Sequence, residues 1–304
     1  MCILACGSGG GGVAPSACDD GAAPQMIKGD PVTADQPNPL GAAGAVSIVS
    51  QNGDVTVLGD STDDKVHITA TPFVMATSCD SGVEEALADI AGGIRVAPSG
   101  ATGCSYASHA YGDVARASTG CTDVVIHVPP GTVDQPLRLS VHTFKGSLEI
   151  RNVNLADHDC FGAGPDGGEP ITCPLEYLNP PTAQADVGDV TITGVTGSVY
   201  AVTSAGSITV ADAPNPPRPE QTPLGDGILA SYVVLSATSG DASLSLPNDF
   251  AADSLSLAAY KGTVTIDGFP DVGQNSLSRG TPGTGARMVW VNADQGNTTL
   301  EPLD

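Results

Sequence analysis

Five histidines and a scatter of aspartates are the groups in this 304-residue chain whose type and placement could do chemistry. His67 stands in "KVHIT", His127 in "VVIHVPP" and His142 in "SVHTF", each alternating with apolar neighbours, while His109 and His158 fall in loop-like segments. A histidine inside an alternating run projects from one strand face. It is a satisfied surface group before it is a base, because a base needs a second group within hydrogen-bond reach. "ADHDC" (156–160) puts Asp157, His158 and Asp159 side by side, and these donors suit a divalent cation. Three adjacent residues do not converge on one ion without ligands from elsewhere. Asp54, Asp189 and Asp241 each follow a glycine. They read as turn chemistry, since a short carboxylate bonds nearby backbone N–H groups. The nonapeptide pattern of calcium-binding solenoids is absent, as are GxSxG, HExxH and phosphate-binding loops in a strand–helix context. No catalytic residue, cofactor or metal site is expected.

Composition narrows the classes further. The net charge is −23, from 34 acidic against 11 basic residues. That field repels phosphate backbones, so nucleic acid is excluded as a partner. Lys28, Lys65, Lys145 and Lys261 are scattered, whereas a polysaccharide lyase of the β-helix type gathers cations around a substrate carboxylate. Aromatic residues make up only 4% of the chain and leave few platforms for sugar rings. A carbohydrate-active β-helix enzyme is therefore the least favoured of the functional classes, and the chain is expected not to be an enzyme.

The elements that would carry these groups repeat. "VSQNGDVTVLGD" (49–60), "VHTFKGSLEIRN" (141–152), "VTSAGSITVADA" (202–213), "SATSGDASLSLP" (236–247) and "AAYKGTVTIDGF" (258–269) each run strand, glycine, polar residue, strand. Val46, Ile48, Val55 and Val57 alternate with polar residues, as do Leu139, Val141, Leu148 and Ile150, so each strand has one apolar face. Such a chain is all-β. Two architectures use the same kink: a β-solenoid, or β-helix-like stack, with Gly corners between the strands of each coil, and an antiparallel sandwich or meander with Gly hairpin turns. Irregular loops that leave the kink intact favour the solenoid. One segment breaks the pattern: in "CDSGVEEALADIAGG" Ser81 stands three residues before Glu84, and Val83, Leu87 and Ile90 follow at helical spacing. The spacing predicts one short helix over 82–91, stopped by Gly92 and Gly93. Insertions are expected at 79–120, 156–186 and 213–227, the last too Pro-rich for a central strand.

Cysteine usage bears on compartment. Cys18, Cys79, Cys104, Cys121, Cys160 and Cys173 include no CxxC pair, so they read as a disulfide framework formed outside the cytoplasm. Cys160–Cys173 and Cys104–Cys121 would close local loops, leaving Cys18–Cys79. No run of about 18 apolar residues offers a transmembrane helix. At the start, Ile3-Leu4-Ala5-Cys6 resembles a bacterial lipobox, which makes Cys6 the lipidation residue. The domain expectation is thus the end of a lipoprotein signal (1–6), a flexible Gly/Ala/Pro tether (7–44) and the β domain (45–304).

"DVVIHVPPGTVDQPLRLSVHTFKGSLEIRNV" (123–153), "GDVTITGVTGSVYAVTSAGSITVADA" (188–213) and "TSGDASLSLPNDFAADSLSLAAYKGTVTIDGF" (238–269) share a Pro-Gly or "LPxDF" turn and a Gly corner. In these the chain resembles the bacterial "putative adhesin" family of cell-envelope proteins with β-helix-like folds, over about two thirds of its length. The helix and the cysteine-bearing insertions depart from that family's simplest pattern. The resemblance implies a β-solenoid, a place in the bacterial cell envelope, outer-membrane-anchored or extracellular, and no catalytic residue. It further implies adhesin-like binding or surface display toward an envelope or surface protein or glycan, with the membrane contacted only through the N-terminal lipid. Specificity would sit in the loops 97–120, 156–186 and 213–227. The alternative is a non-catalytic spacer or scaffold of the envelope.

Overall fold

The computed structural model describes residues 25–37, 45–50, 52–63, 65–76, 83–93, 122–132, 135–155, 158–160, 181–211, 228–248, 250, 254–269 and 287–303. The fold is all-β, with a single helix among those residues. In chain order, β1 (Gln25–Lys28), β2 (Val32–Pro37), β3 (Ala45–Ser50), β4 (Val55–Gly59) and β5 (Lys65–Ala76) precede the helix α1 (Val83–Gly93). Then come β6 (Thr122–Val128), β7 (Arg138–Lys145), β8 (Leu148–Arg151), β9 (His158–Cys160), β10 (Ala183–Val187), β11 (Val190–Thr193), β12 (Val199–Ala205) and β13 (Ile208–Ala211). The last six are β14 (Ile228–Ala237), β15 (Ala242–Leu246), β16 (Ser254–Ala259), β17 (Val264–Ile266), β18 (Arg287–Ala293) and β19 (Thr298–Pro302).

These strands form two sheets. The long sheet has eleven strands, ordered β1-β5-β6-β4-β8-β11-β13-β15-β19-β17, with β2 also on β5. The short sheet has eight, ordered β16-β18-β14-β12-β10-β7-β3, with β9 on β14. Seven times the chain passes from a short-sheet strand, through a corner of two to four residues, into a long-sheet strand. The strands flanking a corner pair in parallel with their equivalents in the levels above and below: Val190 lies opposite Leu148 on one side and Ile208 on the other. A parallel ladder needs a crossover between neighbours, and from β7 to β15 each crossover runs through a strand of the other sheet. Hairpin pairing across the Gly corners, the meander alternative, does not occur. Among the described residues antiparallel pairing is confined to β1 and β2 with β5, β5 with β6, and β9 with β14.

The strand alternation does what its period requires. Ile48, Val55, Val57, Val141, Leu148, Ile150, Ile192, Ile208, Leu235 and Leu244 point between the sheets and are at most 1% exposed. Each such side chain contributes roughly 1.5–3 kcal/mol of burial. Two features escape the pattern. The level made by β18 and β19, last in the chain, wedges between β14–β15 and β16–β17, so the chain skips a level and then returns to fill it. That leaves β17 at the end of the long sheet, where Val264 and Ile266 are only half-buried.

The helix runs Val83–Gly93 and turns Leu87 and Ile90 inward, against β5. It takes in Gly92 and Gly93, the pair expected to stop it, while Ser81 lies outside the described residues. Residues 25–37 fall within the stretch read as tether, yet they form β1 and β2. They carry too little alternation to signal strands alone; their pairing with the twelve-residue β5 supplies the order. Likewise the insertion expected at 156–186 ends earlier, because β10 begins at Ala183.

Candidate functional site

Seven glycines stack at the corners in the order Gly53, Gly146, Gly188, Gly206, Gly240, Gly296, Gly262. Gly146 and Gly188 adopt φ of 139° and 148°, a region that L side chains rarely enter. A Cβ on Gly188 would lie 2.1 Å from the Gly146 carbonyl oxygen, and one on Gly146 equally close to the Gly53 oxygen. The corner repeats because the levels approach more closely there than a methyl group allows. The ladder continues through the turn: Gly146 N–H donates to Val187 O at 2.9 Å, and Gly188 N–H to Ala205 O at 2.8 Å.

The residue after each glycine builds a second column. Asp54 Oδ1 accepts the Ser147 N–H at 2.8 Å, and Asp189 Oδ1 the Ser207 N–H at 2.8 Å. The Ser207 hydroxyl accepts the Asp241 N–H at 3.2 Å, and Asp241 Oδ1 the Asn297 N–H at 2.7 Å. Asn297 Oδ1 closes the series by accepting the Thr263 N–H at 3.1 Å. From Asp54 to Asn297, Ser and Asn alternate with the acids, which sets those carboxylates two levels, about 9–10 Å, apart. Beyond Asp54 a further acid follows at once, Asp123 of β6, whose Oδ1 accepts the Asp54 N–H at 3.3 Å. Asp54, Asp189 and Asp241, expected to serve their own turns, instead bond the backbone of the neighbouring level and so join one corner to the next. Among the described residues no group of three or more His, Cys, Asp or Glu is placed to hold a metal ion.

The strand histidines are each met by carboxylates. On the outer face of the long sheet, His67 places Nδ1 2.8 Å from Asp35 Oδ1 and Nε2 2.7 Å from Asp63 Oδ1. Asp35, then Asp63, raises the His67 pKa above the ordinary histidine value. In return the hydrogen bond from His67, against some desolvation, holds the Asp63 carboxyl below its usual range. His127 is the cross-strand partner of His67 and places Nδ1 2.7 Å from Asp60 Oδ1. On the short sheet, His142 Nε2 lies 3.1 Å from Asp186 Oδ1, which also accepts from Gln184 Nε2 at 3.0 Å. The His142 ring sits 4.3 Å from that of Phe144. Lys28 Nζ donates to Asp123 Oδ2 at 2.7 Å, and this bond raises the lysine's pKa.

The reading of His67, His127 and His142 as satisfied surface groups holds, but their partners were not legible. Asp35 and Asp60 reach them from distant segments, and of these three histidines only His67, in "DSTDDKVH" (60–67), has acids close by in the sequence. His158 and Asp159 belong to β9, antiparallel to the start of β14; Asp157 and His109 lie outside the described residues. So do Cys6, Cys18, Cys79, Cys104, Cys121 and Cys173, while Cys160 ends β9. The lipidation and disulfide expectations therefore fall outside what is described.

The two edges of the stack differ. Corners from the short sheet to the long sheet are uniformly tight. Connections in the opposite direction include 152–182, 194–198, 212–227, 247–253 and 267–286. These connections start and end along one edge, whereas the longest connection of the chain, 77–121, joins the end of β5 to the start of β6 at the glycine-corner edge, where Thr122 N–H donates to Asn52 O at 2.7 Å.

No protein-family model matches the chain, and no curated protein matches it. Among solved structures the chain is similar to a "putative cell adhesion protein" from Clostridium sporogenes ATCC 15579, at 9% identity and a TM-score of 0.40, covering 90% of this chain and 100% of that one. It is also similar to a "putative adhesin" from Bacteroides fragilis NCTC 9343, at 11% identity and a TM-score of 0.36, covering 90% and 97%. No helix among the described residues is long and apolar enough to cross a membrane.

Proposed function

We propose that this chain is a non-catalytic recognition module of the bacterial envelope with an adhesin-like, surface-display role. The observation that carries the reading is the asymmetry of the edges: one is a column of glycines with a single long connection, 77–121, at its Gly53 end, and the other collects the long connections from β8 through to β18. Loops confined to one edge of a rigid parallel stack are held in a fixed mutual arrangement, the arrangement a binding surface needs. Attachment through a lipid on Cys6, disulfides among Cys18, Cys79, Cys104, Cys121, Cys160 and Cys173, and an envelope protein or glycan as ligand complete the proposal. The acidic field of the chain favours ligands that are neutral or basic over anionic polymers.

The test is capture by the oxidised full chain, immobilised and incubated with envelope and extracellular-matrix fractions. Saturable retention of one protein or glycan, lost when 161–180 or 213–227 is replaced by a short Gly/Ser linker, supports recognition and locates it. Absence of retention by a folded sample sinks the recognition reading and leaves a structural spacer. Cys6→Ser tests anchoring independently, because it should move the protein out of the membrane fraction.

A further inference from the structure

The His67 cluster lies where β2, β5, β6 and the 60–63 segment meet. Its imidazole is gripped at both nitrogens by carboxylates that belong to other parts of the chain, Asp35 on β2 and Asp63 in the loop. A neutral imidazole has one N–H and one lone pair, whereas an imidazolium has two N–H donors. Two ionised carboxylates in line with the two ring nitrogens are therefore satisfied together only by the cation. In the neutral form one of them faces a lone pair at 2.7–2.8 Å and must withdraw.

We propose that His67 is a pH-dependent clasp that fastens the 60–63 segment to β2 while its ring is protonated and releases one of them when the ring becomes neutral. The charged groups around it set which side opens. From β5, Lys65 Nζ stands 4.0 Å from Asp35 Oδ2 and keeps a cation near that carboxylate after His67 discharges. Asp63 has a neutral second donor, the Ser61 hydroxyl at 3.0 Å. Asp60, held by His127 of β6, and Ser61, whose N–H donates to Val128 O of β6 at 3.1 Å and whose hydroxyl lies 2.9 Å from Lys65 O of β5, are the remaining ties between the loop and the sheet. The Asp63 end of the 60–63 segment is thus the part that comes free, hinged on Asp60 and Ser61, while β2 stays in its antiparallel register with β5. The sign is fixed by the direction of the shift. A histidine pKa raised in the fold gives a hold that is complete below the unfolded value of about 6.5 and is lost as pH rises through the higher folded value. This device is independent of the recognition role proposed above and would act whatever the ligand.

Hydrogen–deuterium exchange of the full chain, compared near pH 6 and near pH 9 after correction for intrinsic base catalysis, tests the clasp. Exchange across 60–66 should be several-fold faster at the higher pH in the native chain. His67→Gln, which cannot carry the charge, should exchange fast at both, and His67→Lys, which keeps a cation with several donors, should exchange slowly at both. Equal corrected exchange in the native chain at the two pH values, or native-like protection of 60–66 in His67→Gln near pH 6, overturns the proposal. Should His67→Gln fail to fold, the native comparison and His67→Lys still decide it.

Discussion

The middle of the stack and its N-terminal end are held by different forces. From β7 through β15 the levels repeat one another in parallel backbone ladders with a glycine at the closest approach, and after Gly188, Gly206 and Gly240 a side-chain oxygen accepts the N–H of the next level. At the N-terminal end the long sheet passes through β6 into antiparallel β5, β1 and β2, with α1 against β5, and the distinctive contacts are between charged side chains. Backbone stacking is short-ranged and does not respond to pH. Contacts such as His67 with Asp35 and Asp63, or Lys28 with Asp123, do respond, and they are exposed enough to be screened by salt. The contrast separates a part built for rigidity from a part whose geometry follows its surroundings.

The sharpest way to break the middle is to add one carbon. Gly188→Ala places a Cβ on the Gly146 carbonyl oxygen, with backbone at a φ of 148° and no flexible neighbour to yield. The cost should be about 3 kcal/mol or more, read as a large fall in the urea midpoint or a failure to fold. The same change at Gly92, near the end of α1, meets nothing within 4 Å. There it should be neutral or should stabilise by up to ~1 kcal/mol, because alanine is the better helix former. Equal effects at the two sites would remove the close-packed column from the account.

Next in size is the difference between an inner level and an outer one. Ile192 is fully buried in β11, so Ile192→Ala should cost about 2–5 kcal/mol, the loss of transfer energy plus a cavity between sheets that cannot collapse. Ile266 occupies the equivalent place in β17, at the end of the long sheet, and is only half-buried. Ile266→Ala should cost less than half as much by the same urea titration. A cost at 266 equal to that at 192 would mean that β17 is covered in solution.

The contrast also explains what the sequence could and could not disclose. Alternation and glycine spacing report local geometry, so the strand pairs around Gly146, Gly188, Gly206 and Gly240, their buried residues and the existence of the short helix were readable. The order of levels was not, because β16–β17 and β18–β19 carry equivalent corners and nothing local records which one is outermost. Nor were β1 and β2: Gln25–Lys28 and Val32–Pro37 become strands by docking on β5, a long-range cause with no period of its own. The site was legible in half-measure. His67 and Asp63 are four residues apart, but Asp35 and Asp60 meet the histidines only through pairing across the sheet.

A smaller effect separates the two columns at the corners. Asp189→Ala keeps the glycine stack and removes the oxygen that accepts the Ser207 N–H. The corner is exposed, so water replaces part of the loss and the cost should be about 1 kcal/mol. Asp189→Asn retains an acceptor oxygen and sheds the charge, and should fall within ~0.5 kcal/mol of the native chain. A large loss in Asp189→Asn would point instead to a role for the negative charge, which the alternation of Asp with Ser and Asn along the column argues against. The expected order is therefore Gly188→Ala far below Asp189→Ala, and Asp189→Ala below Asp189→Asn. In that order close backbone approach sets the corner, hydrogen bonding trims it, and charge is incidental.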